Sequence, residues 1–344
     1  MASVRAFLSS LRQPLFDNPL MRRVMATLHA ASNRRSIARF DRVDAFRRQT
    51  RTLLTLVHRS RMTTFGRDHD FGRIRTAQDF RRLVPLGRIA DRPALRTDLA
   101  LRSHRHALGM ALALVPSTRT ASICWLGDDW LGVERFPLLL RPAVFEPATL
   151  PDDTSPTCLV GPAERIVAFS RERRHLLSDV QAVVYSRSGP VVPVEALRRA
   201  VGPRPVLLEL LTRPEGPIAV EDPRFGSLRL LVDAGVYFEF VPSARAHEIS
   251  PQRLGLDEVR PGVPYELILT APAGVWAGRV GMTVVFDRLD PPLVRVLTPP
   301  DLVVSARSDA AAVTQAPHRS NTGILAAPPE TSAHMPWSVP ADRG

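Results

Sequence analysis

The basic residues decide much of the chemistry open to this chain, because all 46 of them are arginines and none of the 344 residues is a lysine. A Schiff base, a phosphate-loop lysine and a lysine that stabilises an adenylation transition state all need an ε-amino group. The composition therefore excludes mechanisms that depend on such a lysine. Carboxylates, histidines, cysteines and arginines remain as candidate catalytic groups.

Other catalytic patterns are weak. Nucleophile-elbow, zinc-protease, Walker and dinucleotide-loop spacings are absent from the sequence. Asp128, Asp129 and Glu134 lack a further carboxylate or histidine nearby, so a polar loop is expected there and no metal site. Cys124 and Cys158 are too few for a disulfide scaffold or a cysteine-rich metal centre, and we predict two buried thiols.

The positive charge is concentrated in the first third of the chain. The net charge is +12, yet residues 1–106 alone hold 23 arginines and 8 aspartates, a net charge of +15. Such a segment could bind nucleic acid or an anionic membrane. Aromatic interleaving and a nucleic-acid motif are missing, so the pattern favours a solvated basic helical surface.

Apolar runs in the sequence are short. The stretches at residues 107–116 and 136–140 fall well below the ~20 residues that a membrane-spanning helix needs. The amino terminus lacks a continuous apolar segment followed by a small-residue cleavage site. A cytoplasmic protein without a transmembrane span is therefore expected.

Helices are predicted to come first along the chain. Apolar residues recur at helical spacing through residues 20–62, which predicts two or three amphipathic helices. Thr76 is a predicted N-cap for a short helix over residues 77–83, and another helix is expected over residues 104–114.

Strands are predicted from about residue 121, where short apolar runs are bounded by Gly, Pro and Asp. Helical patterns at residues 163–177 and 193–201 separate several of these runs, whereas the later runs follow one another closely. The prediction is an α/β protein in which amino-terminal helices lead into a mixed sheet with flanking helices, its second part antiparallel.

Three regions are predicted along the chain. Residues 1–115 form the helical amino-terminal part of a large domain, and residues 116–298 form its α/β core. Residues 299–344 are rich in Pro, Ala and Ser and lose apolar periodicity, so a disordered tail is expected.

Three segments carry a resemblance to a known family. They are residues 63–86, with TTFGRDHDF and DFRRLVPL; residues 215–242, with EGPIAV and GVYFEFVP; and residues 264–281, with PYELILT and AGV. On these motifs the chain resembles the auxin-responsive acyl-acid amido synthetase (Gretchen Hagen) family over residues 20–297. The resemblance implies the large domain of an adenylate-forming enzyme, in shortened form. It also implies a reaction in which ATP and a carboxylic acid give an acyl-adenylate that an amine then attacks to form an amide.

The phosphate-binding loop departs from the family pattern. The resemblance places this loop, rich in Gly and Ser or Thr, within residues 87–102, which hold one glycine and one threonine. We therefore predict that the loop is deleted. Leu211, Arg213 and Pro214 also stand where the family has a tyrosine and a hydroxyl residue before its Glu-Gly pair.

The third segment departs further. Ala277, Gly278 and Met282 stand where the resemblance implies an arginine, a tyrosine and a ribose-binding aspartate. A thioether is at best a weak acceptor, and a buried ribose hydroxyl without a partner costs ~1–3 kcal/mol. Arg279 could compensate for Ala277, although it is displaced by two positions. The mobile carboxyl-terminal domain that supplies the family's catalytic lysine is expected to be missing.

These comparisons give six candidates for a residual pocket: Glu215, Gly216, Tyr237, Glu239, Trp276 and Arg279. Glu215 is the retained family glutamate, which could coordinate magnesium or orient substrate, or could be a solvated turn residue.

The leading hypothesis is a truncated, degenerate homologue, a pseudoenzyme kept as a binding or scaffold protein, with no cofactor. One alternative is an active acid–amino acid ligase with a reshaped pocket, which would need ATP and magnesium. Another is a basic protein that binds nucleic acid or anionic membrane through residues 1–106. Partners stay open, with a small carboxylic acid or a protein among the options.

Overall fold

A computed structural model describes residues 19–89, 98–115, 122–127, 143–151, 155–187 and 192–297. The helices within these ranges are α1 (Pro19–Asp41), α2 (Ala45–Ser60), α3 (Thr64–Asp68), α4 (Ala77–Leu83), α5 (Asp98–Leu114), α6 (Ala163–Glu172) and α7 (Val194–Val201). Half of the predicted phosphate-loop interval (residues 90–97 of 87–102), the cluster of Asp128, Asp129 and Glu134, and the predicted tail lie outside the described residues.

The strands in the same ranges are β1 (Gly87–Arg88), β2 (Ser122–Trp125), β3 (Ala143–Phe145), β4 (Cys158–Pro162), β5 (Ala182–Ser186), β6 (Val206–Arg213), β7 (Gly216–Asp222), β8 (Ser227–Leu230), β9 (Tyr237–Pro242), β10 (Pro264–Ala271), β11 (Val275–Leu289) and β12 (Pro292–Leu297). They form one sheet in the order β3-β2-β4-β5-β6-β7-β8-β12-β11-β10-β9, with β1 beside β11. Strands β2 to β6 pair in parallel, and every pair from β6–β7 to β10–β9 is antiparallel. The predicted α/β class and the antiparallel second part are confirmed.

Local sequence signals account for the helices within residues 63–86, the first segment of the resemblance and called the amino-terminal signature below. The predicted cap at Thr76 is confirmed, because its hydroxyl accepts from the Asp79 backbone N–H while the Asp79 carboxylate accepts from the Thr76 N–H. Helix α5 begins six residues before the predicted start at His104. Asp98 lies in its first turn, where a carboxylate is favoured by the helix dipole.

The parallel half of the sheet is covered on both faces. Helices α5 and α1 pack on one face, where Leu108 and Phe40 join the core cluster of Cys158. Helices α6 and α7 pack on the other face, where Cys124 is buried. The two cysteines therefore point to opposite sides of the sheet, and burial raises the pKa of each thiol to about 12. The prediction of two buried thiols is confirmed.

The antiparallel half curls around a core of its own. Apolar side chains from all seven strands β6 to β12 belong to one cluster, which includes Phe238, Phe240 and Phe286. Helices α2 to α4 cover the outer side of β9, β10 and β11, where Leu53 and Phe80 are buried. None of the described helices combines the length and apolar composition needed to cross a bilayer.

Candidate functional site

Pro214 and Glu215 form the tight turn that joins β6 to β7, and Gly216 begins β7. Glu215 is only 8% exposed, and its Oε2 makes no hydrogen bond to a described residue. The interpretation of Glu215 as a solvated turn residue is therefore wrong, because the turn folds inward. A Cβ at position 216 would lie 2.7 Å from Cγ2 of Val236, so only glycine lets the turn approach that side chain without a shift.

His104 anchors this turn from α5. Its Nδ1 lies 2.9 Å from the carbonyl oxygen of Ala100, and its Nε2 lies 3.0 Å from that of Arg213, at the end of β6. Burial lowers the pKa of His104, while the two carbonyls and the charge of Glu215 oppose that shift. Sequence reasoning missed this residue, although a histidine on the apolar face of α5, four residues before Leu108, was a usable signal.

The loop between β8 and β9 is fixed to two helices. Gln49 of α2 donates from Nε2 to the carbonyls of Val232 and Val236 at 2.8 and 2.9 Å, and its Oε1 accepts from the Phe238 N–H at 2.8 Å. From α5, the Nε2 of His106 lies 3.1 Å from Oδ2 of Asp233, whose side chain is 9% exposed. These contacts set the position from which β9 starts.

We expect Asp233→Asn to make stability less dependent on acid pH. Burial alone would raise the pKa of Asp233, but His106 and Arg48 outweigh it, so the folded pKa lies below the ordinary value of 3.8. The stabilisation is present above pH 3.8 and is lost as pH falls through the folded pKa. At neutral pH the variant should lose about 1.5–3 kcal/mol of unfolding free energy.

Urea unfolding across a pH series measures this difference, with the exposed Asp68→Asn as the matched control. The gap between wild type and Asp233→Asn should close in acid. A gap that stays constant below pH 3.8 would contradict the proposed role of the charge.

Tyr237 and Glu239 lie two residues apart on β9 and face α4. Glu239 is 1% exposed and lies 3.2 Å from Nε of Arg81 and 3.5 Å from Nη1 of Arg253. Burial raises the pKa of Glu239 and of Tyr237, and both arginines oppose the shift. Arg253 also donates to the carbonyl of Val84 at 2.8 Å. The contacts of Glu239 with Arg81 and Arg253, and of Arg253 with the Val84 carbonyl, therefore hold α4 against the sheet.

Trp276 lies in an aromatic cluster beneath α3 and α4. Its ring stacks with Phe65 at 5.9 Å between centroids, meets Phe71 edge-on at 4.7 Å and lies 6.5 Å from Phe80. Phe80 also meets Tyr237 edge-on at 6.1 Å. The structure thus brings Tyr237, Glu239 and Trp276 together, around Phe80 and its neighbour Arg81.

The start of β11, which contains Trp276 and Arg279, satisfies its polar groups internally. Arg279 pairs with Glu266 and donates to the carbonyl of Ala246 at 3.0 Å. A Cβ at Gly278 would lie 2.6 Å from Cγ1 of Val275 and 2.9 Å from Cγ1 of Ile89, the residue after β1, so these two side chains fill the space that a larger residue would need.

Two further residues of β11, Ala277 and Met282, are also engaged in contacts within the protein. The Ala277 N–H donates to Oγ1 of Thr270 at 2.9 Å. Met282 packs against the core of the curled half-sheet. Residues 276–282 therefore present neither a free carboxylate nor an unpaired guanidinium.

The carboxyl ends of the parallel strands are a second candidate region for a site. Strands β2 and β4 are neighbours in the sheet, but the chain leaves β2 toward β3 on one side and leaves β4 toward β5 on the other. The carboxyl ends of β2 and β4 are therefore a topological switch point, where ligands commonly bind. Glu164 lies there, in the first turn of α6, and its buried Oε2 has no hydrogen-bond partner among the described residues. A carboxylate at a helix amino terminus uses the favourable dipole and repels phosphate. This helix start is therefore poorly suited to a nucleotide.

Sequence reasoning also missed a polar row across β5, β6 and β7. Tyr185 is aligned with Glu209, whose Oε2 lies 2.9 Å from Nη2 of Arg187 and whose N–H donates to Glu221 at 2.9 Å. Burial raises the pKa of Tyr185 to about 12 and also raises that of Glu209. Glu209 interrupts the apolar run of β6, and this interruption was the sequence signal that could have revealed the row. The row joins the parallel and antiparallel halves of the sheet.

Among the described ranges, no three His, Cys, Asp or Glu side chains are grouped so that they could hold a metal ion. Glu215 is the one sequence-predicted candidate with a free buried oxygen, and it lies at a separate turn from the group around Phe80. The six candidates thus divide between the β6–β7 turn, the aromatic cluster and the Glu266 ion pair. Their role in binding stays a prediction.

Comparisons with known proteins agree with these segments. Residues 39–91 match the GH3 family N-terminal domain, and residues 229–297 match the GH3 family central domain. Curated protein sequences give no match.

Two solved structures share the fold. AtGH3.15 acyl acid amido synthetase in complex with 2,4-DB aligns at 12% identity and a TM-score of 0.57, covering 81% of this chain and 70% of that one. A second GH3.15 acyl acid amido synthetase structure aligns at 13% identity and a TM-score of 0.56, covering 81% and 75%. A long-chain-fatty-acid-CoA ligase (FadD1) from Archaeoglobus fulgidus reaches a TM-score of 0.36 at 13% identity, covering 62% and 50%, which is too distant to add support.

Proposed function

We propose that this chain, whose residues 39–91 and 229–297 match domains of the GH3 family, has lost ATP-dependent adenylation and amide ligation and serves as a binding or scaffold protein. The observation that carries the proposal is the internally satisfied start of β11, where the resemblance implies residues that contact nucleotide. Arg279, the one candidate for replacing a missing arginine, is bound to Glu266.

ATP fits the described residues poorly. The space beside Gly278 is filled by Ile89, and Met282 offers no carboxylate to a ribose hydroxyl. The sequence has no lysine to stabilise an adenylation transition state. We therefore propose a protein without a nucleotide cofactor. Its cytoplasmic location stays a prediction.

An ATP–pyrophosphate exchange assay with a panel of carboxylic acids tests this proposal, with a GH3.15 acyl acid amido synthetase as the positive control. We expect exchange at the background of the enzyme-free reaction. A Glu215→Gln variant identifies contamination, because contaminating activity would survive the substitution. Exchange that the wild type supports and Glu215→Gln abolishes would contradict the loss of function.

A surviving ligase is the second candidate function, and Glu215 favours it. The side chain is buried with a free oxygen next to the anchored His104, so a cation or substrate group could complete its coordination. Calorimetric titration with ATP and magnesium separates the two proposals. Heat that saturates at millimolar nucleotide or below, and that Glu215→Gln removes, would support the ligase, whereas a flat titration supports the degenerate protein.

A further inference from the structure

One side of α2 is a row of exposed polar residues, most of which are arginines. Its members follow one another at four-residue spacing and are all exposed: Arg47, Arg51, Thr55 and Arg59. Side chains at this spacing are neighbours along a helix. At ~1.5 Å per residue the row is about 18 Å long. These four residues are called the basic ridge.

The fold holds α2 by its other side. The buried residues of the helix face the sheet and the amino-terminal signature, and none of them belongs to the basic ridge: Gln49, Thr52, Leu53, Leu56 and Val57. The ridge therefore adds nothing to the core and is open to solvent.

The charge of the ridge works against the stability of the helix that contains it. Helix α2 has no acidic residue, and its first turn holds Arg47, where the helix dipole disfavours a cation. Arg47 and Arg51, four residues apart, also repel each other. Asp44 pairs with Arg47 at 3.3 Å, whereas Arg51 and Arg59 form no ion pair with any residue in the described ranges. Local helix stability therefore does not account for this charge.

We propose that the basic ridge binds the phosphate backbone of duplex DNA without reading its sequence. Each guanidinium can donate two parallel hydrogen bonds to a phosphate, and the Thr55 hydroxyl can donate one. Phosphates of one strand follow every ~3.4 Å along the duplex axis, so a row of about 18 Å reaches several of them. A ligase and a degenerate protein would bind the backbone alike, so this proposal goes beyond the proposed function.

Proteins and membranes match the ridge less well than a phosphate backbone does. A protein interface is usually centred on buried apolar or aromatic side chains, and the ridge has none. An anionic bilayer takes up apolar side chains that lie beside the charges. Phe46, the most exposed large apolar residue of α2, precedes Arg51 by five positions and so points about 140° away from it around the helix.

Other nucleic acids also match less well. Single strands are usually held by stacking of bases on aromatic side chains, which the ridge does not offer. Double-stranded RNA is recognised across successive minor grooves and through 2′-hydroxyls, a reach that one straight row of side chains does not have.

Fluorescence anisotropy of a labelled random-sequence DNA duplex, titrated with the full chain at several salt concentrations, tests the proposal. Wild type should bind with a Kd of about 10⁻⁶–10⁻⁴ M at physiological salt. Replacing Arg47, Arg51 and Arg59 together with glutamine should weaken binding by about tenfold or more. The slope of log K against log salt should fall in magnitude by about 2–3, because each phosphate contact contributes ~0.9.

The matched control replaces Arg171, Arg204 and Arg260 with glutamine, which removes the same charge from exposed positions outside α2. It should keep the wild-type salt slope. Thermal unfolding of both variants verifies that they are folded. No binding by wild type at low salt, an equal loss in the two variants, or a slope that the ridge variant does not change would overturn the proposal.

Competition identifies the class of polyanion. Phosphatidylserine vesicles, polyglutamate, single-stranded DNA and duplex RNA are added at matched charge to the complex of wild type with labelled duplex. Each should displace the duplex less well than unlabelled duplex DNA does. A competitor that is as effective as duplex DNA would overturn the assignment of the basic ridge to duplex DNA.

Discussion

Replacing Glu239 with glutamine should lower the free energy of unfolding by about 3–5 kcal/mol, because it leaves two arginines without their buried counter-charge. Arg253 has its closest carboxylate in Glu239, at 3.5 Å, and its side chain is almost as buried as that of Glu239. Arg81 keeps a second partner in Glu258, at 2.7 Å. Most of the lost unfolding free energy should therefore come from leaving the buried guanidinium of Arg253 without a carboxylate partner.

Urea unfolding of wild type and Glu239→Gln measures this loss. Glu248→Gln is the matched control, since its partner Arg245 is on the surface and solvent replaces the contact. The control should behave as wild type. If Glu239→Gln is also as stable as wild type, the carboxylate does not hold α4, and a ligand-binding role for this candidate regains support.

Trp276→Ala should have a comparable effect, lowering the unfolding free energy by about 3–5 kcal/mol. Alanine would leave a cavity among Phe65, Phe71 and Phe80, whose rings now contact the indole. Because the cluster joins α3 and α4 to β11, removing the indole should also loosen the packing of residues 63–86 on the sheet.

Near-ultraviolet circular dichroism and urea unfolding together test the second prediction. Trp276→Phe keeps a ring in the cluster and should lose less stability than Trp276→Ala. Met62→Ala removes an exposed side chain and should change stability by less than about 0.5 kcal/mol. A Trp276→Ala protein as stable as wild type would contradict the structural role of the indole and favour a surface that contacts a ligand.

Both predictions bear on the proposal that this chain has lost the ligase reaction. Residues that the resemblance associates with a pocket are engaged in holding α3 and α4 on the sheet. Tyr237, Glu239 and Trp276 thus stabilise the protein in the manner of core residues. Glu215 differs from them, because its free buried oxygen is unexplained by any described contact.

The sequence by itself determined the local structure and much of the fold class. The cap at Thr76 depends on residues three apart, and the apolar runs of β4 to β6 mark buried strands, so both could be predicted from neighbours along the chain. The absence of lysine likewise constrained the chemistry without any coordinates.

Only the tertiary structure decided what each candidate side chain contacts. Glu239 meets Arg81 across 158 residues, and Gln49 meets Phe238 across 189, distances at which no spacing rule applies. Glu215 is buried because Val236 and α5 close over its turn, although a Pro-Glu-Gly sequence reads locally as a solvated one. Burial and ion pairing depend on which distant segments pack together, and these two properties distinguish a structural carboxylate from one left free for a ligand.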